Sequence, residues 1–220
     1  MPGAVDKVGE VGDFIGGLIN PLLSFAAFIV LLRTTTIQNG IVRKQLESQD
    51  LLTFREEFYS LRNNILTLSD RMGRRESKYV AHLYDEIQAA RIKLVEKFGS
   101  GPDYEVNAKD VVVGLIRHQD FDRFALSVRR AMKQVIRKSP KEIFDHAIVI
   151  RDSMTLCERT IFLNWIYYYW DKEAREWFVG TRSEDGKWLS YEFTGGMTRG
   201  DLISDEVYNY FNQELPRKGN

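Results

Sequence analysis

From Phe14 to Leu32 the chain reads FIGGLINPLLSFAAFIVLL, 19 residues without a charge. At about 1.5 Å per residue, a helix of that length nearly crosses a hydrocarbon core of roughly 30 Å. The pattern predicts a membrane helix over residues 14–33, entered from a short N-terminal tail at residues 1–13. Gly16, Gly17, Asn20, Pro21 and Ser24 lower the hydropathy of the run, so a tilted or partly inserted helix fits the same residues. Two other readings compete. A secretory signal peptide starts with basic residues and ends at a small-residue cleavage site, whereas this run follows Asp6, Glu10 and Asp13 and stops at Arg33. A buried core helix of a soluble protein is the stronger rival, but it needs apolar partner surface that the neighbouring sequence does not offer.

Residues 34–45 form a polar linker in which Asn39-Gly40 is the expected break, although a helix through Gly40 is allowed. From there the pattern is helical. Leu46, Leu51, Phe54, Phe58, Leu61, Ile65 and Leu68 recur at threes and fours with charges between them, the signature of an amphipathic helix. A second helix is expected from Arg75 to Phe98, ending in the loop GSGPD. Periodicity resumes at Ala108 and continues to Ile136 with a break near Gln119-Asp120. Ser139-Pro140 then reads as a helix start, opening a helix of roughly 140–176 whose IFLNWIYYYW is apolar nearly all round. Such a segment lies at the centre of a bundle or meets a membrane or partner. WFVGT, RSEDG and KWLSYEF suggest a hairpin, and residues 201–213 a last short helix. The fold class is therefore mainly α: a membrane helix, then a helical bundle over residues 46–220 with a small C-terminal β-hairpin.

Charge orients the membrane helix. Arg33, Arg43 and Lys44 follow the run, while Asp6, Glu10 and Asp13 precede it with only Lys7 among them, which places the C-terminal side in the cytoplasm. Gly16, Asn20 and Ser24 recur every fourth position and share one side of the helix. Small residues so placed let helices approach closely in lipid, so self-association is expected. The competing reading is that Gly-Gly and Asn-Pro merely bend the helix at its entrance.

Over the whole chain, 31 basic and 31 acidic residues cancel, and no nucleic-acid partner is expected. The basic pairs Arg129-Arg130 and Arg137-Lys138 can touch phosphates, but solvated helix faces are their default reading. Cys157 is the single cysteine, which excludes an internal disulfide and a thiolate zinc site. His82, His118 and His146 are far apart. His118 with Asp120 and Asp122 reads as surface chemistry, so neither metal nor cofactor is expected. The aromatic group Tyr167, Tyr168, Tyr169, Trp170, Trp177 and Trp188 fits core packing better than a stacking platform.

Arg75 and His82, in RESKYVAH, have a spacing similar to that of the HEPN class of ribonucleases. In such a site arginine stabilises phosphate charge and histidine shuttles a proton. Two solvated helix residues would look the same, and the reading favours a protein that is not an enzyme.

A broader resemblance covers residues 12–170. DFIGGLINPLLSFAAFIVLLRTTTIQ followed by LLTFREEFYSLRNNI resembles the phage abortive infection protein family of bacterial membrane proteins. There, a Gly-Gly, Asn-Pro membrane helix leads through a glutamine-bearing linker to a helix with two phenylalanines four apart. FDRFALSVRRAMKQVI and IVIRDSMTLCERTIFLNWIYYY are similar to two later helices of the family, in the same order. The matching positions are Gly16, Gly17, Asn20, Pro21, Phe54, Phe58, Arg123, Arg151 and Glu158. The resemblance implies a single-pass protein of the bacterial inner membrane that acts in anti-phage defence as an effector or sensor. It also implies the lipid bilayer and a phage-derived or neighbouring-gene protein as partners. It carries no catalytic residues. A membrane-tethered ribonuclease using Arg75 and His82, and a non-enzymatic helical adaptor that recruits a partner, are the alternatives.

Overall fold

The apolar run and the amphipathic stretch after it belong to one helix, α1 (Gly3–Arg75). The computed structural model describes residues 3–75, 79–99, 101–116, 119–138 and 140–215. The chain falls into two units, residues 1–55 and 56–220; α1 supplies the helix of the first and opens the second. Residues 3–13 and 34–45, expected as a tail and a linker, are both helical. The physical reason is visible at the threonines. The hydroxyls of Thr34, Thr35 and Thr36 donate to the carbonyls of Val30, Leu31 and Leu32 at 2.8, 2.8 and 2.9 Å, so they bond along the helix rather than compete with it. Gly40 costs only about 1 kcal/mol relative to alanine inside a helix, too little to end one that continues on both sides.

In the second unit α1 is followed by α2 (Tyr79–Phe98), α3 (Pro102–Leu115), α4 (Gln119–Val135), α5 (Pro140–Asp152), α6 (Leu156–Tyr169) and α7 (Lys172–Glu176). Strands β1 (Gly180–Arg182) and β2 (Trp188–Ser190), one 3-10 turn (Arg199–Asp201) and α8 (Asp205–Asn212) complete it. The fold is mainly helical with one small antiparallel hairpin. α6 is its centre: Ile161, Phe162, Leu163 and Ile166 are fully buried, as a helix apolar on every side must be. Around it α4 contributes Phe121, Phe124, Val128, Met132 and Val135, the i, i+3, i+4 face of a strongly amphipathic helix. Phe58, Ile65, Leu68 and Met72 of α1 and Leu83, Ile87 and Leu94 of α2 are buried as well.

Several boundaries differ from the expected ones: Arg75 ends α1 and α2 begins at Tyr79, and the helix expected over 201–213 is a 3-10 turn followed by α8. α3 begins at Pro102, inside the anticipated loop, because proline occupies its first turn, where no amide partner is missed. The single helix expected over 140–176 is three helices. Chain direction changes after Asp152, and Thr155 restarts the helix with a capping box: its hydroxyl accepts from the Glu158 amide at 3.2 Å, and Glu158 accepts from the Thr155 amide at 2.7 Å. Asp171 likewise caps α7 through the Ala174 amide at 2.8 Å.

The hairpin pairs Gly180 with Ser190, Thr181 with Leu189 and Arg182 with Trp188. A Cβ at Gly180 would sit 2.5 Å from the Leu189 carbonyl oxygen and 2.6 Å from the Trp188 ring, so only glycine admits this approach. Gly186 turns the hairpin with φ 83°, the left-handed region that glycine enters without strain.

Candidate functional site

The most distinctive surface is the apolar part of α1. Every large apolar side chain described between Phe14 and Leu32 is exposed, with 45% to 72% of its surface free. Within Gly17–Met72 lies a window long and apolar enough to cross a membrane, and none of that window is buried. A core helix packed within this chain would be covered, and this window is not. Apolar residues on all sides of a helix require an apolar surrounding. Pro21 lies inside the helix; the carbonyl it leaves free is tolerated in membrane helices when neighbouring groups satisfy it. Asn20 and Ser24 are exposed, and a Cβ at Gly17 would meet nothing within 4 Å. The side chains of residues 1–13 and of Ile15 and Gly16 lie outside the described residues.

Of the family-like positions beyond the apolar run, several are buried or bonded within the fold. Phe54 and Phe58 are buried, and the Phe58 ring meets His146 edge-on at 4.6 Å. Glu158 is buried and closes the capping box of α6. Arg151, at the end of α5, bonds Asp152 at 2.8 Å and reaches the Tyr191 carbonyl at 3.4 Å and Glu192 at 3.5 Å, tying the helix to the segment after β2. Arg123 is exposed on α4. His82 is also exposed, with its Nε2 3.3 Å from Glu86 one turn on, a solvated helix pair. The side chain of Arg75 and the residues Glu76 to Lys78 lie outside the described residues, as does His118.

Much of the aromatic cluster packs internally, whereas Tyr169 is exposed. Trp165 and Tyr169 stack at 4.3 Å, and Phe162 meets Trp170 and Phe178 edge-on at 5.7 and 5.2 Å. Tyr168 donates to Glu105 at 2.6 Å and approaches Ser204 at 3.3 Å. Burial, then the Glu105 contact, holds its hydroxyl far above the ordinary tyrosine value, so it stays protonated.

A polar seam that local sequence patterns do not reveal joins α2, α3 and α6 to residues 198–206. Tyr84 donates to Asp201, Gln88 to the Asp201 carbonyl at 2.7 Å, and Arg91 to the Leu202 carbonyl at 2.8 Å and Asp205 at 2.7 Å. Tyr104 donates to the Ile203 carbonyl, and Asn164 accepts from the Ile203 amide at 2.9 Å. The hydrogen bond to Asp201, with burial second, pushes Tyr84 up to about 12. Burial would raise the Asp201 carboxyl, but hydrogen bonds from Tyr84 and Thr198 outweigh it and hold the group below its usual value. These contacts satisfy buried backbone groups, and the seam is a clamp on the C-terminal segment.

Two of the open grooves among the described residues lie beside aromatic or basic side chains. One, of about 270 Å³, is walled by Trp177, Trp188 and Tyr191. Its Arg182 is fully engaged, stacked over Trp188 and bonded to Glu214 at 2.7 Å and the Leu215 carbonyl at 3.0 Å. The other, of about 300 Å³, is lined by Leu61, Arg130, Lys133, Gln134 and Arg137. His82 lines neither. Among the described residues no cluster of three metal-binding side chains occurs.

The fold and its exposed helix define a class: a mainly α domain with a small hairpin and, among the described residues, one helix long and apolar enough to cross a membrane. Comparison with protein-family models, curated proteins and solved structures finds no match.

Proposed function

We propose that this protein is a membrane-anchored abortive infection effector or sensor of bacterial anti-phage defence. Residues 14–32 cross the inner membrane once, the domain beyond residue 46 faces the cytoplasm, and contact with an infection cue impairs the host cell at the membrane. The observation that carries the anchor is the uncharged run, helical and exposed on every side. Its flanking charges support the orientation. The block order of the sequence resemblance supports the defence role. Gly16, Asn20 and Ser24 supply the face for self-association within the bilayer.

His82 in its exposed pair with Glu86 favours this reading over the ribonuclease, because a proton shuttle needs a partner held in a shaped site. The adaptor reading shares the anchor and differs in lacking an effect on the membrane. Phage plating, membrane-potential dye and in-membrane crosslinking on one set of strains separate the three. Wild type and His82→Ala are expected to protect and depolarise alike, and Asn20→Leu to lose crosslinked oligomers together with protection. Loss of protection and of RNA cleavage in a folded His82→Ala protein would establish the ribonuclease instead. Protection without depolarisation would leave the adaptor.

A further inference from the structure

Arg130, Lys133 and Arg137 lie at spacings of three and four, so they share one stripe along α4 and the turn that follows it. With Leu61 and Gln134 they line the groove of about 300 Å³. All three are exposed, and no carboxylate is in the lining. No ion pair among the described residues includes any of them. Arg129, next in sequence, behaves differently: it approaches Asp171 at 3.5 Å and lies over the Trp170 ring at 5.2 Å. Glu57 is the acid tied to this region, and it accepts from Gln134 at 3.2 Å.

We propose that this groove binds a small soluble polyphosphate anion, of the nucleoside triphosphate class. Seven residues along α4 and the turn after it separate the backbone positions of Arg130 and Arg137 by about 10 Å, a span that linked phosphates fill better than a single one. Two arginines offer planar forks that match phosphate oxygens in pairs, and lysine adds a point charge between them. Leu61 gives the apolar wall that the organic part of such a molecule needs, and the volume is at the small end of ligand sites. No histidine, cysteine, hydroxyl or carboxylate lines the groove, so the site binds without turning its ligand over. The groove lies within residues 56–220 and does not rest on the membrane reading.

The test is calorimetric titration of inorganic tripolyphosphate into the full-length protein in nanodiscs of neutral phosphatidylcholine, with inorganic phosphate as comparison. One saturable site is expected, with inorganic phosphate weaker by about tenfold. Arg130→Gln/Lys133→Gln/Arg137→Gln should weaken tripolyphosphate by about tenfold or more, and each single variant by about threefold. Their exposure predicts an unchanged melting midpoint; should the triple variant unfold, the singles carry the test. Absent saturation, or equal binding by the variants, would overturn the proposal. So would loss of tripolyphosphate binding on adding phosphatidylglycerol to the discs, which would assign the groove to lipid headgroups.

Discussion

Full-length protein carrying Phe25→Arg and Ile29→Arg together is expected to leave the carbonate-resistant membrane fraction. Both side chains are exposed, at 63% and 47%, so the change removes no packing within the chain. Arginine is a good helix former, and α1 keeps its helix. What changes is the cost of placing the segment in hydrocarbon. An arginine at the centre of a membrane helix adds about 2.5–3.5 kcal/mol on an insertion scale and less toward its end, so Phe25→Arg near the centre with Ile29→Arg nearer the end adds roughly 3–6 kcal/mol to a run whose length is already marginal. The matched control is Leu46→Arg with Leu52→Arg, side chains exposed to a similar degree at 55% and 54% but beyond the uncharged run. That variant should remain in the membrane. If both variants extract alike, the apolar run is not what holds the protein there.

In the second unit, Phe162→Ala is expected to produce the largest loss of stability from a single substitution. Phe162 is fully buried on α6, with Phe178, Trp170 and Phe124 around its ring at 5.2, 5.7 and 6.4 Å. Truncating such a ring costs about 3–5 kcal/mol because the cavity collapses only partly, a large share of the 5–15 kcal/mol typical of a folded domain. For a domain of this size the melting midpoint should fall by about 6–20 °C. Tryptophan fluorescence during thermal unfolding reads it directly, since Trp165 and Trp170 are in the same cluster. A shift under about 2 °C would mean that α6 is not the centre of the bundle.

How much of this was legible beforehand follows from the range over which each feature is encoded. The uncharged run, the amphipathic second half of α1, the hairpin and the all-round apolar α6 are written in local composition and periodicity, and each is present in the structure. The division of 140–176 is also local, in the Thr155-to-Glu158 capping box, but a four-residue signal inside a long apolar pattern is easily read through. Asn39-Gly40 misleads in the opposite direction, because turn residues break a helix only when their cost exceeds what the continuing helix supplies. The clamp on residues 198–206 has no local signature. Tyr84 and Arg91 find their partners more than 100 residues later, and only the fold brings them together. The basic groove is intermediate: Arg129-Arg130 and Arg137-Lys138 stand out as pairs, whereas the stripe that includes Lys133 emerges only at helical spacing. Among the family-like positions, Phe54, Phe58 and Glu158 are buried and Arg151 is bonded to Asp152 and the segment after β2, contacts that the sequence alone does not show.

We propose that residues 14–32 cross a membrane once and leave the following domain in the cytoplasm. Protease digestion of the full-length protein, carrying a C-terminal epitope, in spheroplasts and in inverted membrane vesicles tests it most directly. The epitope is expected to survive protease in spheroplasts and to be lost in inverted vesicles, with the protein resisting carbonate in both. A protein that stays in solution without detergent, or whose epitope is digested from outside intact spheroplasts, would contradict it.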